Sequence, residues 1–163
     1  MTTEERADHN SPAVISGEKD TYVAFLGYLR ASVDRNVDGL SEDDARRPLV
    51  ASGTSLLGIV KHLALVEVYW AQRRFLGSDV VLGGDGWALD PTDTVESVRR
   101  EYAQAGERTD EIVNGCPDME RPLARGRHGL TLRWMLAHLV EETARHAGHA
   151  DILRELVDGH TGR

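Results

Sequence analysis

One cysteine, Cys116, is all that this chain of 163 residues carries. That excludes an intrachain disulfide and any zinc site built from several thiolates, and a free thiol fits a reducing compartment. Long apolar runs are missing too. None approaches the ~18 residues that a membrane span needs, and the opening MTTEERADHNSP lacks the basic, apolar pattern of a signal peptide. The expected compartment is the cytoplasm, with no membrane partner. Basic residues are in deficit, 19 Lys and Arg against 27 Asp and Glu, for a formal net charge of −8. Phosphate binding needs a concentrated basic surface, so nucleic acid is not an expected partner. Arg121, Arg125, Arg127 and Arg133 do cluster, and such a cluster reads as a solvated loop. Neither a strand pair nor an internal repeat stands out. The GGDG run at 83–86 is no phosphate loop, since no Lys-Ser/Thr ending follows it and no strand precedes it.

What is present is ordinary for a soluble globular domain: 40% hydrophobic and 28% charged residues. The length fits one domain, residues 19–163, behind a loose polar arm at 1–18 that contains Pro12 and Gly17. Apolar residues then recur at helical spacing in four stretches. The first spans Thr21 to Asn36, with Tyr22, Phe25, Leu26, Leu29 and Val33 on one face and Gly39 as a stop. A short helical turn is expected at Ser41 to Ala45. The second opens at Gly53-Thr54-Ser55 and carries Leu56, Ile59, Leu63, Val66, Trp70 and Phe75 until Gly77. The third runs from Thr94 to Val113 and stops at Asn114-Gly115. The last, Thr131 to Val157, is the longest, with a stripe from Leu132 through Met135, Leu136, Leu139, Thr143, Ala147, Ala150 and Leu153 to Val157. Two long irregular connections intervene: SDVVLGGDGWALDP at 78–91, and residues 115–130. The expected class is all-α, a four-helix bundle with two long loops. Loops as long as 78–91 tend to be functional or mobile.

On the last helix His138, Glu142, His146 and His149 fall in a narrow sector beside the apolar stripe, at roughly 100° per residue. Glu142 and His146 are four apart, so their Cβ atoms lie roughly 5–6 Å from each other on one face. His62, on the second helix beside Ile59, Leu63 and Val66, points its ring toward the core. Together these three make a His-His-carboxylate set that leaves a coordination position open, as catalytic sites do. Sites of that composition accept zinc, nickel, iron or manganese. Each residue also has an ordinary reading: His62 as a hydrogen-bonded core histidine, Glu142 as an ion-pair partner of Arg145. His149 is a competing ligand or a supporting partner, and His138 reads as structural. His9, His128 and His160 lie in loops or tails and read as solvated. A metal resolves the cost of burying all three, because a buried carboxylate needs a compensating charge.

The segments SLLGIVKHLALVEVYW and EETARHAGHADILRE resemble the DinB-like (YfiT-like) superfamily of four-helix metalloproteins. They are most similar to its branch related to mycothiol-dependent maleylpyruvate isomerase and the mycothiol S-transferases. Most of that superfamily uses three histidines; here position 142 is glutamate, and the isomerase group is similar in using His, Glu and His. The resemblance implies His62, Glu142 and His146 around zinc or a similar divalent ion, with no catalytic residue needed beyond the ligands. It also implies a low-molecular-weight thiol such as mycothiol as cosubstrate. A thiol with pKa near 8.5 shifts strongly toward thiolate beside a divalent cation, and the thiolate attacks a small electrophile. Arg145 and His149 are candidates for contacting the thiol; Trp70, Trp87 and Trp134 are candidates for walling the pocket, or plain core. Members of the superfamily are often dimers, which makes a homodimer an expectation as well. Two other classes of function fit the same residues: a bundle that binds a metal or small ligand without catalysis, and a metal-assisted hydrolase.

Overall fold

The computed structural model describes residues 11–13, 16–84 and 86–160. The expected arm at 1–18 therefore lies largely outside the described residues, as do His9 and Asp85. Five α-helices account for the fold, with no strand among the described residues: α1 (Glu18–Arg35), α2 (Glu42–Arg46), α3 (Leu56–Glu67), α4 (Val95–Asn114) and α5 (Leu132–Asp158). Side-chain caps start four of them. Ser41, Ser55, Thr94 and Thr131 accept from the backbone N–H three residues on, and Thr94 forms a reciprocal capping box with Ser97. Gly159, at φ 76°, ends α5 in the left-handed conformation that glycine adopts without strain.

Helix α1 begins three residues before the expected Thr21 and α4 runs one residue past Val113. The larger difference lies after Glu67. The expected continuous helix winds on as a π-helix, Val68–Phe75. Its cause is legible in the burial pattern. Leu63, Glu67, Ala71 and Phe75 are all buried, at a strict spacing of four. On an α-helix each step of four over-rotates by about 40°, which would carry Phe75 out of the core. The wider i→i+5 winding keeps the row in line.

The four long helices close a ring in which α5 packs on α1 and α3, while α4 packs on α3 and α1. The interior has two apolar clusters. One joins α1, α3, the start of α4 and the end of α5 through Val33, Leu56, Ile59, Leu63, Val98 and Leu153. The other joins Leu26, Phe75, Val113, Met135, Leu136 and Leu139 at the opposite end of α5. From the predicted stripe of α5, Leu132 through Leu153 are buried and Val157 is partly covered. The 115–130 connection is pinned to the π-helix by backbone bonds from Ala124 to Phe75 and Arg125 to Arg74. The 78–94 connection crosses α3 as a strap. No helix among the described residues is long and apolar enough to cross a membrane.

Candidate metal centre

Helices α3 and α5 are neighbours, and their register brings the three candidate ligands together. His62 sits in the second turn of α3, its position fixed by the buried Ile59 and Leu63 on either side. Glu142 and His146 stand one turn apart on α5. Both imidazoles converge on the same carboxylate oxygen: His62 Nε2 is 3.3 Å and His146 Nε2 3.2 Å from Glu142 Oε1. One ligand atom from each of the three lies within 4.8 Å of the others.

The two His–Glu spacings fit a cation. Nitrogen and oxygen ligands sit about 2.0–2.1 Å from zinc, which places two atoms of a tetrahedral shell about 3.3–3.4 Å apart. The donor chemistry fits as well. Burial pushes the Glu142 carboxyl up, but hydrogen bonds and charge from His62, His146 and Arg145 outweigh it and hold the group below its ordinary value. For His146 burial dominates, aided by His62 and His149 and opposed by Glu142, and the ring stays neutral to a lower pH than a free imidazole. An ionised carboxylate and a neutral imidazole are the forms that bind metal. His146 Nδ1 is buried with no hydrogen-bond partner, so the usual outer support of a ligand histidine is lacking at that ring.

Around the three ligands, Arg145 donates to Glu142 Oε2 at 3.2 Å and also pairs with Glu141, which leaves Oε1 to the histidines. Trp87, from the strap, stacks on the His62 ring with centroids 3.9 Å apart and planes 12° from parallel. Its edge also meets His146 at 5.3 Å. Gly86, just before Trp87, holds φ 86°, a left-handed conformation that glycine adopts without strain.

The other candidates are placed as follows. His149 is exposed, its ring 5.4 Å from that of His146. Arg145 is exposed at the same edge and is engaged by Glu141 and Glu142. His138 stacks with Trp134 at 5.1 Å and meets Trp70 edge-on at 4.8 Å, so these two tryptophans form their own aromatic cluster one turn along α5. Of the three tryptophans, Trp87 alone contacts the His62 and His146 rings. His128 and His160 are exposed. Cys116 is buried, with its thiol on the Asp118 carbonyl at 3.4 Å. In the arginine cluster, Arg125 pairs with Asp79, Arg133 with Glu18 and Glu120, and Arg121 covers Phe75.

One buried charge was not anticipated. Glu67 is 2% exposed and accepts from Arg30 Nε at 2.7 Å, while Arg30 Nη1 reaches Asp110. A sequence signal for it existed: Glu67 falls four after Leu63 within an apolar run, at a core position.

No curated protein matches the chain. The sequence model of one family, described as Mycothiol-S-transferase, matches residues 21–159, which takes in every candidate ligand and all five helices but for the first three residues of α1. Coverage of that extent settles the affiliation: the chain belongs to the mycothiol S-transferase family, within the DinB-like superfamily.

Proposed function

We propose that this protein transfers a low-molecular-weight thiol, mycothiol or a close analogue, to a small electrophile at a divalent metal held by His62, Glu142 and His146. The observation that carries the reading is the convergence of two imidazoles and one carboxylate, with ligand atoms within 4.8 Å of one another, in a chain of this family. Zinc is the first candidate ion, and the cytoplasm the first candidate compartment. Residues 19–163 act as one domain in this reading, and a homodimer is the assembly to test.

A divalent cation bound there supplies the positive charge that lowers a thiol's pKa from about 8.5 and favours the thiolate. The rest of the chemistry falls to the protein's own groups. Glu142 brings one negative charge, so the filled site keeps net positive charge for an anionic sulfur. Arg145 fixes the carboxylate through Oε2 and keeps Oε1 turned to the histidines. Trp87 covers the face of His62 and keeps bulk water from that side. Arg145 and His149, exposed at the rim, meet polar groups of the thiol. In the reaction the thiol's proton passes to solvent water, sulfur forms a bond to the electrophilic carbon, and the leaving group departs with its bonding electrons.

The test combines metal analysis with turnover. Protein purified without chelator is expected to carry about one equivalent of divalent metal and to conjugate mycothiol to monochlorobimane. Glu142→Ala and His146→Ala should lose the metal and at least 100-fold in kcat/KM. Turnover that survives both substitutions places the chemistry elsewhere, and hydrolysis of esters in the absence of thiol would favour a different reaction class.

A further inference from the structure

The strap covers a cavity of about 540 Å³ between α3 and α4, and its first residues border a smaller hollow of about 220 Å³. The smaller one is lined by Arg73, Asp79, Val80, Val81, Leu82 and Arg125. None of these is a candidate metal ligand. Arg125 belongs to the arginine cluster that the sequence presents as a solvated loop, yet the fold holds it firmly. Its N–H donates to the Arg74 carbonyl at 3.0 Å, and its own carbonyl accepts from Arg74 Nε at 2.8 Å. Arg74 in turn lies over the rings of Tyr69 and Trp70. Consecutive residues on a helix point about a quarter-turn apart, so Arg73 turns away from those rings and reaches the hollow.

The hollow already holds a carboxylate of its own chain. Arg125 Nη2 donates to Asp79 Oδ1 at 2.6 Å. That bond and the Arg125 charge, with a smaller contribution from Arg73, hold the Asp79 carboxyl below its ordinary value. Two guanidiniums thus act on one carboxylate, a locally positive spot in a chain of net charge −8. The Asp79 side chain is 93% exposed, so water and salt screen the pair and another anion can take its place. The remaining lining is aliphatic, Val80, Val81 and Leu82, with Val81 89% exposed. We propose that this hollow is a site for a small organic carboxylate. Its headgroup replaces that of Asp79 between Arg73 and Arg125, and its aliphatic body lies on Val81 and Leu82. Guanidinium forks suit the two oxygens of a carboxylate, and a volume below the ~300 Å³ of drug-sized pockets keeps the ligand small. Occupation has a structural consequence. Asp79 ties the start of the strap to Arg125, whereas the pair of Lys61 and Asp93 holds its far end. A bound carboxylate releases the first tie and leaves the second in place.

Isovalerate, a carboxylate on a short branched body, is the probe, and inorganic phosphate is the comparison oxyanion. Each is titrated into the full chain at neutral pH and fixed ionic strength, with amide shifts followed by nuclear magnetic resonance. Isovalerate is expected to give saturable shifts at Val81, Leu82 and Arg125. Asp79→Asn removes the competing carboxylate and should lower the isovalerate Kd at least three-fold. Arg73→Gln and Arg125→Gln should each raise it at least five-fold. Val81→Ser should weaken isovalerate and leave phosphate unchanged. All four positions are exposed, so the variants are expected to fold, which circular dichroism checks. Saturating isovalerate should also speed elastase cleavage at Val80 and Val81 at least two-fold in the wild type, and leave the already loosened Asp79→Asn unchanged. Shifts that do not saturate, an Asp79→Asn Kd no lower than that of the wild type, or phosphate bound as tightly as isovalerate would each overturn the assignment.

Discussion

Two imidazole nitrogens aimed at one carboxylate oxygen form an arrangement whose protonation can be followed residue by residue. Glu142 and His146 both have folded values below their ordinary ones, 4.5 and 6.5 respectively. A depressed value means that the unfolded chain binds the proton more readily, so the stability linked to the group is complete above its unfolded value. It is lost as the pH falls through the folded one. For His146 that window opens just below pH 6.5. In chelator-treated protein, the wild-type unfolding midpoint minus that of His146→Gln should therefore decrease as the pH is lowered from 7.5 to 5. A difference that grows on acidification would contradict a buried neutral ring. The same protonation competes with a cation for Nε2, and bound zinc should be released over the same range. That the convergence of His62, Glu142 and His146 could be anticipated before the fold has a simple reason. The Glu142–His146 spacing is fixed by the helix itself, and His62 is the only histidine on its helix. Trp87 could be named only together with Trp70 and Trp134, because a strap carries no period from which its path over His62 could be traced.

Among the elements, the stretch from α3 into the π-helix is where helical periodicity and tertiary packing part company. Caps and stops are local chemistry, which is why Ser41, Ser55, Thr94, Thr131 and Gly159 mark their boundaries in the sequence. The π-helix is not local: it follows from which residues the neighbouring helices bury, and Glu67 opens it. That glutamate is held by Arg30, which Asp110 holds in turn. Burial would push the guanidinium down, yet Glu67 and Asp110 more than offset it and hold it up. Arg30 Nη2, Glu67 Oε2, Tyr102 OH and Thr109 Oγ1 are all buried without a hydrogen-bond partner. The side of Gly106 lies against the guanidinium, where a Cβ would come within 3.2 Å of it. Breaking a buried pair leaves an uncompensated charge and costs about 3–5 kcal/mol, whereas replacing both partners by apolar groups is often neutral. Arg30→Met should therefore lower the unfolding free energy in urea by about 3–5 kcal/mol, and Arg30→Met/Glu67→Leu should recover most of it. A double variant as unstable as the single one would show that the cluster holds the helices by more than its charge.

At the level of the whole molecule, the strap links parts of the fold that the helix ring leaves separate. Its C-terminal end is clasped from two helices. Arg46 of α2 donates to the Asp90 carbonyl at 2.8 Å and to that of Asp93, while Lys61 of α3 binds both aspartate side chains. Glu42 of α2 accepts from the Val95 N–H at 2.9 Å, a carboxylate placed at the positive end of α4. Between the clasp and the π-helix the strap roofs the large cavity and lays Trp87 on His62. Loosening the clasp should therefore free the roof and the tryptophan together, without touching His62, Glu142 or His146. Lys61 and Asp93 are only 14% and 13% exposed, so their pair lies at the upper end of the range for surface pairs, about 1 kcal/mol. If opening of the strap is the step that admits a protease, losing that pair raises the open population roughly five-fold. Lys61→Met is accordingly expected to speed cleavage within residues 78–93 about five-fold and to shift tryptophan emission to the red, with zinc content unchanged. Loss of zinc in that variant would mean that the strap helps to hold the ion. Cleavage at the wild-type rate would mean that the stack of Trp87 on His62 suffices to keep the strap closed.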